Sequence, residues 1–344
     1  MKIKIITYTF SQNIGAILQA YSLREYLKKI TKKDVIYTNY QPLKLYLREN
    51  FSFLKKMNIY EFATGIQKFI KILNWKKNNF KIQRYQNSYD GEELLNIFGS
   101  DEIWNYSNPF FNYQKFYYGF GKSETKIAYA VSIGNAELKN LTNILEKDIK
   151  KNLLKFKYIT VRDTNTQKFV KRITKKNVPI VVDPIFLIRN KLVDLKPKNY
   201  LNKNEYILIY GKIKNIHDIR KIKTYADQKK REIVSIIFKN DWADKNILSV
   251  DPWQFQIYIK NSNTVFTSMF HGVMFSVKFN KQFWISFDAY RVNKLGYFLK
   301  NLKLEKRYIN EKIHLNDKID YSRLRPKLNI WIEKSKNLLK KNIK

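Results

Sequence analysis

The chain has 344 residues, with 66 Lys or Arg against 29 Asp or Glu, for a formal net charge of +37. That length exceeds what one hydrophobic core normally serves, so two domains are expected. The absence of cysteine excludes disulfides, thiol nucleophiles and cysteine-held metals, and three scattered histidines leave little for a zinc cluster.

Met1 to Thr7 alternates charged and apolar residues without the uninterrupted apolar core of a signal peptide, and no later run approaches a spanning helix. The expectation is a soluble, cytoplasmic protein. Its charge would attract nucleic acid, anionic lipid or phosphorylated substrates. The lysines are spread widely, however, with no zinc finger, RNP-like motif or basic zipper, so no nucleic-acid partner is expected.

In chain order, Lys2 to Phe10 reads as a strand, Asn13 to Ile30 as a helix with Ala16, Ala20, Leu23, Leu27 and Ile30 on one stripe, and Asp34 to Tyr40 as a second strand. Residues 43–86 then form a basic and aromatic excursion, with Lys68, Lys71, Lys76 and Lys77 among Phe62, Phe69 and Trp75. It either packs as a solvated helical excursion on its own domain or lies on an anionic membrane surface at the inner membrane face. Leu94 to Gly99, Lys126 to Ser132, Tyr158 to Val161 and Pro179 to Val182 read as further strands, with Gln167 to Ile173 a short helix. This alternation marks a parallel sheet covered by helices, and residues 1–189 make one such domain.

The chain turns polar after Asn190, with Lys196 to Asn199 as a linker. A second alternation fills residues 205–317. Its strands are Tyr206 to Tyr210, Glu232 to Phe238, Val265 to Thr267 and Phe283 to Phe287, and its helices Asp218 to Arg231, Trp253 to Lys260 and Val273 to Phe279. In residues 318–344 a helix opening at Pro326 and carrying Leu328, Trp331, Ile332, Leu338 and Leu339 should pack back on the body. The fold class is therefore α/β, two Rossmann-like domains facing across a cleft.

Active sites of such folds lie at the carboxyl ends of strands. His271 follows the apolar run Thr264 to Thr267 and stands where a helix begins, at the positive end of a helix dipole that favours a neutral, proton-accepting ring. Ser268 and Gly272 flank it. Arg162 ends another strand, where its guanidinium could grip a phosphate or carboxylate, or pair with Asp163 or another acid. Asn13 and Gly15 open the first helix, where backbone N–H groups can cradle an anion. Ser100 and Asp101 end one strand, and Ser132, Gly134 and Asn135 end another. Asp183 before Pro184 reads as structural.

Taken together, Asn13 to Leu23, Gly99 to Asn105, Tyr129 to Gly134, Val161 to Asp163, Val182 to Pro184 and Ser268 to Ser276 resemble, in this order, the polysaccharide pyruvyl transferase family. The resemblance implies a GT-B-like fold, phosphoenolpyruvate as donor, and as acceptor a sugar or lipid-linked oligosaccharide of a bacterial cell-envelope polysaccharide, joined as a pyruvyl ketal. It assigns His271 as general acid/base and Arg162 as donor ligand, with no metal and no organic cofactor. Met269 stands where many members carry an arginine, and Lys278 or Lys281 could supply a cation in its place. A GT-B glycosyltransferase using a nucleotide sugar, with Asp288 on the ribose, stays open as an alternative, as does a non-catalytic polyanion-binding member.

Overall fold

The computed structural model describes residues 2–40, 43–51, 59–84, 94–108, 113–120, 125–189, 204–287 and 289–343. Two all-parallel sheets organise it. The first holds β1 (Lys2–Ile6), β2 (Val35–Asn39), β3 (Ile82–Arg84), β4 (Leu94–Phe98), β5 (Thr125–Val131) and β6 (Tyr158–Val161), in the order β3-β2-β1-β4-β5-β6. The second holds β7 (Tyr206–Tyr210), β8 (Glu232–Ile236), β9 (Lys245–Ile247), β10 (Thr264–Thr267) and β11 (Gln282–Ile285), in the order β11-β10-β7-β8-β9.

Both orders are doubly wound. Each sheet grows outward from its first strand, then reverses and adds the remaining strands on the other side. The reversal lies between β1 and β4 in one sheet and between β7 and β10 in the other. Chain diverges there above the carboxyl ends, which opens a crevice. The architecture is GT-B-like, as expected.

Strands β4 and β7 are buried along their whole length, Leu-Leu-Asn-Ile-Phe and Tyr-Ile-Leu-Ile-Tyr, as strands covered on both faces must be. The helix α1 (Ile14–Thr31) begins where Asn13 accepts hydrogen bonds from the Gly15 and Ala16 N–H groups, and it stops at Lys32 in the left-handed conformation. One apolar cluster joins both domains: Ile5, Ile97 and Leu23 pack in the same core as Leu208, Val265 and Phe275. The helix α10 (Tyr321–Ile343) closes that core with Leu328, Trp331 and Leu339, and its Ser335 hydroxyl accepts the Val182 N–H at 3.1 Å.

Four expectations change. Pro179 to Val182 is not a strand: it makes one isolated bridge, Ile180 to Val161, because Pro179 lacks an N–H and Asp183 starts a short 3-10 turn. Helix α10 begins at Tyr321, where Asp320 accepts the Ser322 and Arg323 N–H groups, and Pro326 sits inside it. Among its described residues the excursion holds two helices, α2 (Leu43–Phe51) and α3 (Ile59–Asn79), followed by β3, and α3 also braces the second domain through Lys71 to the Ser249 carbonyl (2.8 Å) and Glu61 to Lys239 (3.2 Å). Helices α4 (Asn143–Leu153) and α9 (Ala289–Leu302) and strands β3 and β9 were not expected. The linker expected at Lys196 to Asn199 lies outside the described residues.

Candidate active site

Helix α8 (Phe270–Lys278) follows β10 directly, so His271 sits in its first turn at the second sheet's reversal point. Arg162 follows β6, at the end of the first sheet. The two meet. Arg162 Nη1 donates to Gln19 Oε1 at 2.9 Å and to Asp183 Oδ2 at 3.1 Å, while His271 Nε2 lies 3.3 Å from the same Gln19 oxygen and 3.7 Å from the same Asp183 oxygen. Phe270 lies under the guanidinium, 4.5 Å from ring centroid to Cζ, which adds a cation–π contact. Arg162, His271 and Asp183 are buried, at 6%, 7% and 2% exposure.

These positions follow from the chain. Gln19 is a polar residue on the fully covered face of α1, and its amide also donates to the Ser100 carbonyl at 3.3 Å, tying α1 to the loop after β4. Gly15 lets the second domain approach: a Cβ there would lie 2.2 Å from His271 Nδ1. Asp183 caps the 3-10 turn by accepting the Ile185 N–H, which fixes the carboxylate between the guanidinium and the imidazole.

Burial by itself would raise the Asp183 carboxyl, but His271 and Arg162 outweigh it and hold it below the usual carboxylate range. Asp101, 4.0 Å from Arg162 Nη2, shifts the other way, because burial exceeds the help of Arg162, His271 and Lys294. Two carboxylates beside one histidine thus have opposed proton affinities, a division that suits acid and base roles. Lys294 of α9 pairs with Glu102 next to Asp101, and burial lowers its ammonium to about 8.

The model of the polysaccharide pyruvyl transferase family matches residues 13–286. The chain belongs to that family. No curated protein sequence matches it. Among solved structures, the UDP-GlcNAc 2-epimerase of Neisseria meningitidis bound to UDP-GlcNAc is similar at 11% identity and TM-score 0.49, over 98% of this chain and 94% of its own. The UDP-GlcNAc 2-epimerase of Methanocaldococcus jannaschii is similar at 11% and 0.48, over 96% and 93%. The glycosyltransferase SnogD of Streptomyces nogalater is similar at 11% and 0.42, over 98% of each chain.

In this pyruvyl transferase family member, Arg162, His271 and the Ser100 carbonyl meet at Gln19, with Asp101 4.0 Å from Arg162. Arg162 pairs with Asp183, not with Asp163, which instead accepts from Thr166 and caps the helix α5 (Thr164–Thr174). Asp183, read as structural, does cap the turn at Pro184 and also lies between Arg162 and His271. The first-helix cradle is filled by its own cap, since the Gly15 N–H goes to Asn13. Ser132 donates to Asp163 at 2.6 Å and accepts the Gly134 N–H, so it shapes the turn. Gly134 has φ 61° and a Cβ there would meet the Glu102 carboxylate; Asn135 beside it is half-buried. Ser268 donates to the Lys212 carbonyl, and Gly272 packs on Thr267.

Lys278 stands apart from His271 along α8. At the far end of α8 it binds the Ile185 and Ile188 carbonyls, and burial lowers it to about 7. Lys281 donates to the Ser262 carbonyl at 2.6 Å. Asp288 lies outside the described residues. Gln19, Phe270 and Lys294 were missed. Gln19 carried one signal, an amide interrupting the apolar side of α1, whereas Lys294 lies on a helix that was not expected.

Proposed function

We propose that the chain transfers pyruvate from phosphoenolpyruvate to a sugar of a surface-polysaccharide precursor, closing a pyruvyl ketal and releasing phosphate. The observation that carries this reading is the buried meeting of Arg162, Asp183 and His271 at the carboxyl ends of both sheets. The acceptor is a sugar or an oligosaccharide carried on lipid at the inner membrane face.

The chemistry needs an acid at carbon, a base for two hydroxyls and a cation for the donor. In this reading His271 delivers a proton to the methylene carbon, and Asp183, held as carboxylate, stabilises the imidazolium. The cationic centre that results at C2 is attacked by a sugar hydroxyl, whose proton goes to Asp101. The C2–O bond to phosphate then breaks, and a second hydroxyl adds and loses its proton to complete the ketal. One proton enters at carbon and two leave the hydroxyls, the balance departing with phosphate. Arg162 holds the donor. The Gln19 oxygen stands between guanidinium and imidazole where a donor oxygen would be gripped by both, so donor entry displaces Gln19.

Thermal melting tests the donor: phosphoenolpyruvate should raise the melting temperature, and nucleotide sugars should not. His271→Ala should abolish phosphate release while keeping that stabilisation, whereas Arg162→Ala should lose the stabilisation. A response to nucleotide sugar alone overturns the reading.

A further inference from the structure

Helix α3 keeps a second apolar stripe on its outward side. Ile59, Phe62, Ile66, Ile70 and Leu73 recur at three- and four-residue spacing on one face, and their exposures are 89%, 42%, 37%, 48% and 50%. The inward side buries Ile72 and Trp75 in the core and ties down two cations: Lys76 is buried and donates to the Ser11 carbonyl at 2.6 Å, and Lys71 donates to the Ser249 carbonyl. Helix α2 adds Leu43 and Leu47, one turn apart and 71% and 48% exposed, and its Phe51 ring lies 5.7 Å from Phe69 of α3. With Tyr60, these two helices hold eight of the fifteen large apolar residues exposed among the described residues. Concentration of this kind marks a binding face.

Charge selects the occupant. Two copies of a chain at +37 repel one another at close approach, whereas an anionic bilayer gains from the same field. Among the described residues no helix is long and apolar enough to cross a membrane, so α3 would lie in the interface plane. We propose that the α2–α3 face seats the protein on an anionic lipid bilayer, with the stripe from Ile59 to Leu73 entering the headgroup boundary. Seating would orient the site. Lys76 ties α3 to Ser11, whose hydroxyl accepts the Asn13 N–H at 3.1 Å, and Asn13 caps the helix that carries Gly15 and Gln19. Presentation of a lipid-carried acceptor to that site rests on the pyruvyl-transfer reading; the docking itself does not.

Co-sedimentation tests it, with vesicles of phosphatidylcholine alone and vesicles with phosphatidylglycerol mixed in. The protein should pellet with the anionic vesicles, less so at high salt, and remain in solution with the neutral ones. The double variant Ile66→Glu, Ile70→Glu should lose at least about tenfold in partitioning with unchanged melting temperature, because both side chains are exposed. No pelleting with anionic vesicles, or equal pelleting of the double variant, overturns the proposal. So does a wild-type dimer in sedimentation that the double variant dissolves, since the face would then serve a second copy. Donor turnover does not enter this assay, so failure of the pyruvyl-transfer reading and failure of docking are told apart.

Discussion

At the scale of single residues, Asp183 is the charge between Arg162 and His271. Its carboxylate is fully buried between a guanidinium and an imidazole, and those two neighbours hold it ionised against the cost of burial. Removing its charge takes away the shortest ion pair of the buried Arg162, leaving Asp101 at 4.0 Å, so Asp183→Asn should cost about 3 kcal/mol. Its pH signature has a definite sign. A folded value below the unfolded one, about 4, stabilises the protein in full above that value and is lost as pH falls through the depressed folded value. Acid titration of stability should therefore fall more steeply below about pH 4 in the wild type than in Asp183→Asn; equal slopes would mean the carboxylate is not held this way. The sequence made His271 and Arg162 legible because both stand at strand ends, where chemistry collects. It could not show Asp183 in this role, since an Asp-Pro pair looks like a turn until the partners 21 residues upstream and 88 downstream are placed beside it.

At the scale of elements, alternation of apolar strand and amphipathic helix was readable wherever the strand was buried on both faces, and Tyr206–Tyr210 and Tyr158–Val161 fell where expected. The shortest edge strands were not, since β3 and β9 are three residues each, too short to show a period. The element contact that matters most for chemistry is α1 against α8. Gly15 has no Cβ, and one added there would lie 2.3 Å from His271 Cγ and 2.7 Å from His271 Cβ. Alanine is a better helix former than glycine by about 1 kcal/mol, so the substitution does not harm α1 itself. It must push the imidazole away from Gln19 and Asp183. Gly15→Ala should thus lower phosphate release about 100-fold while changing stability by no more than about 3 kcal/mol. Wild-type turnover in that variant would separate His271 from the chemistry.

At the scale of the whole molecule, the two sheets are held in one geometry by a shared apolar core and by few polar links, among which Lys294 to Glu102 is the one beside the site. Both side chains are largely buried, at 7% and 15% exposure, and Glu102 also accepts from Asn105 at 3.2 Å. Burial opposes the ammonium and lowers it to about 8, so stability from this group rises with pH between about 8 and its unfolded value near 10.4, where the unfolded chain is still protonated and the folded one is not. Lys294→Met should flatten that rise. If the pair also fixes the domains, Lys294→Met and Glu102→Gln will not add: the double variant should be less destabilised than the sum of the singles, with a coupling of about 1–3 kcal/mol. A site that spans two domains should show the same coupling in turnover, because each single variant loosens the approach of His271 to Arg162 and the second has little left to loosen. Additive losses in both measurements would mean that the apolar core alone sets the geometry and that Lys294 serves only its own helix.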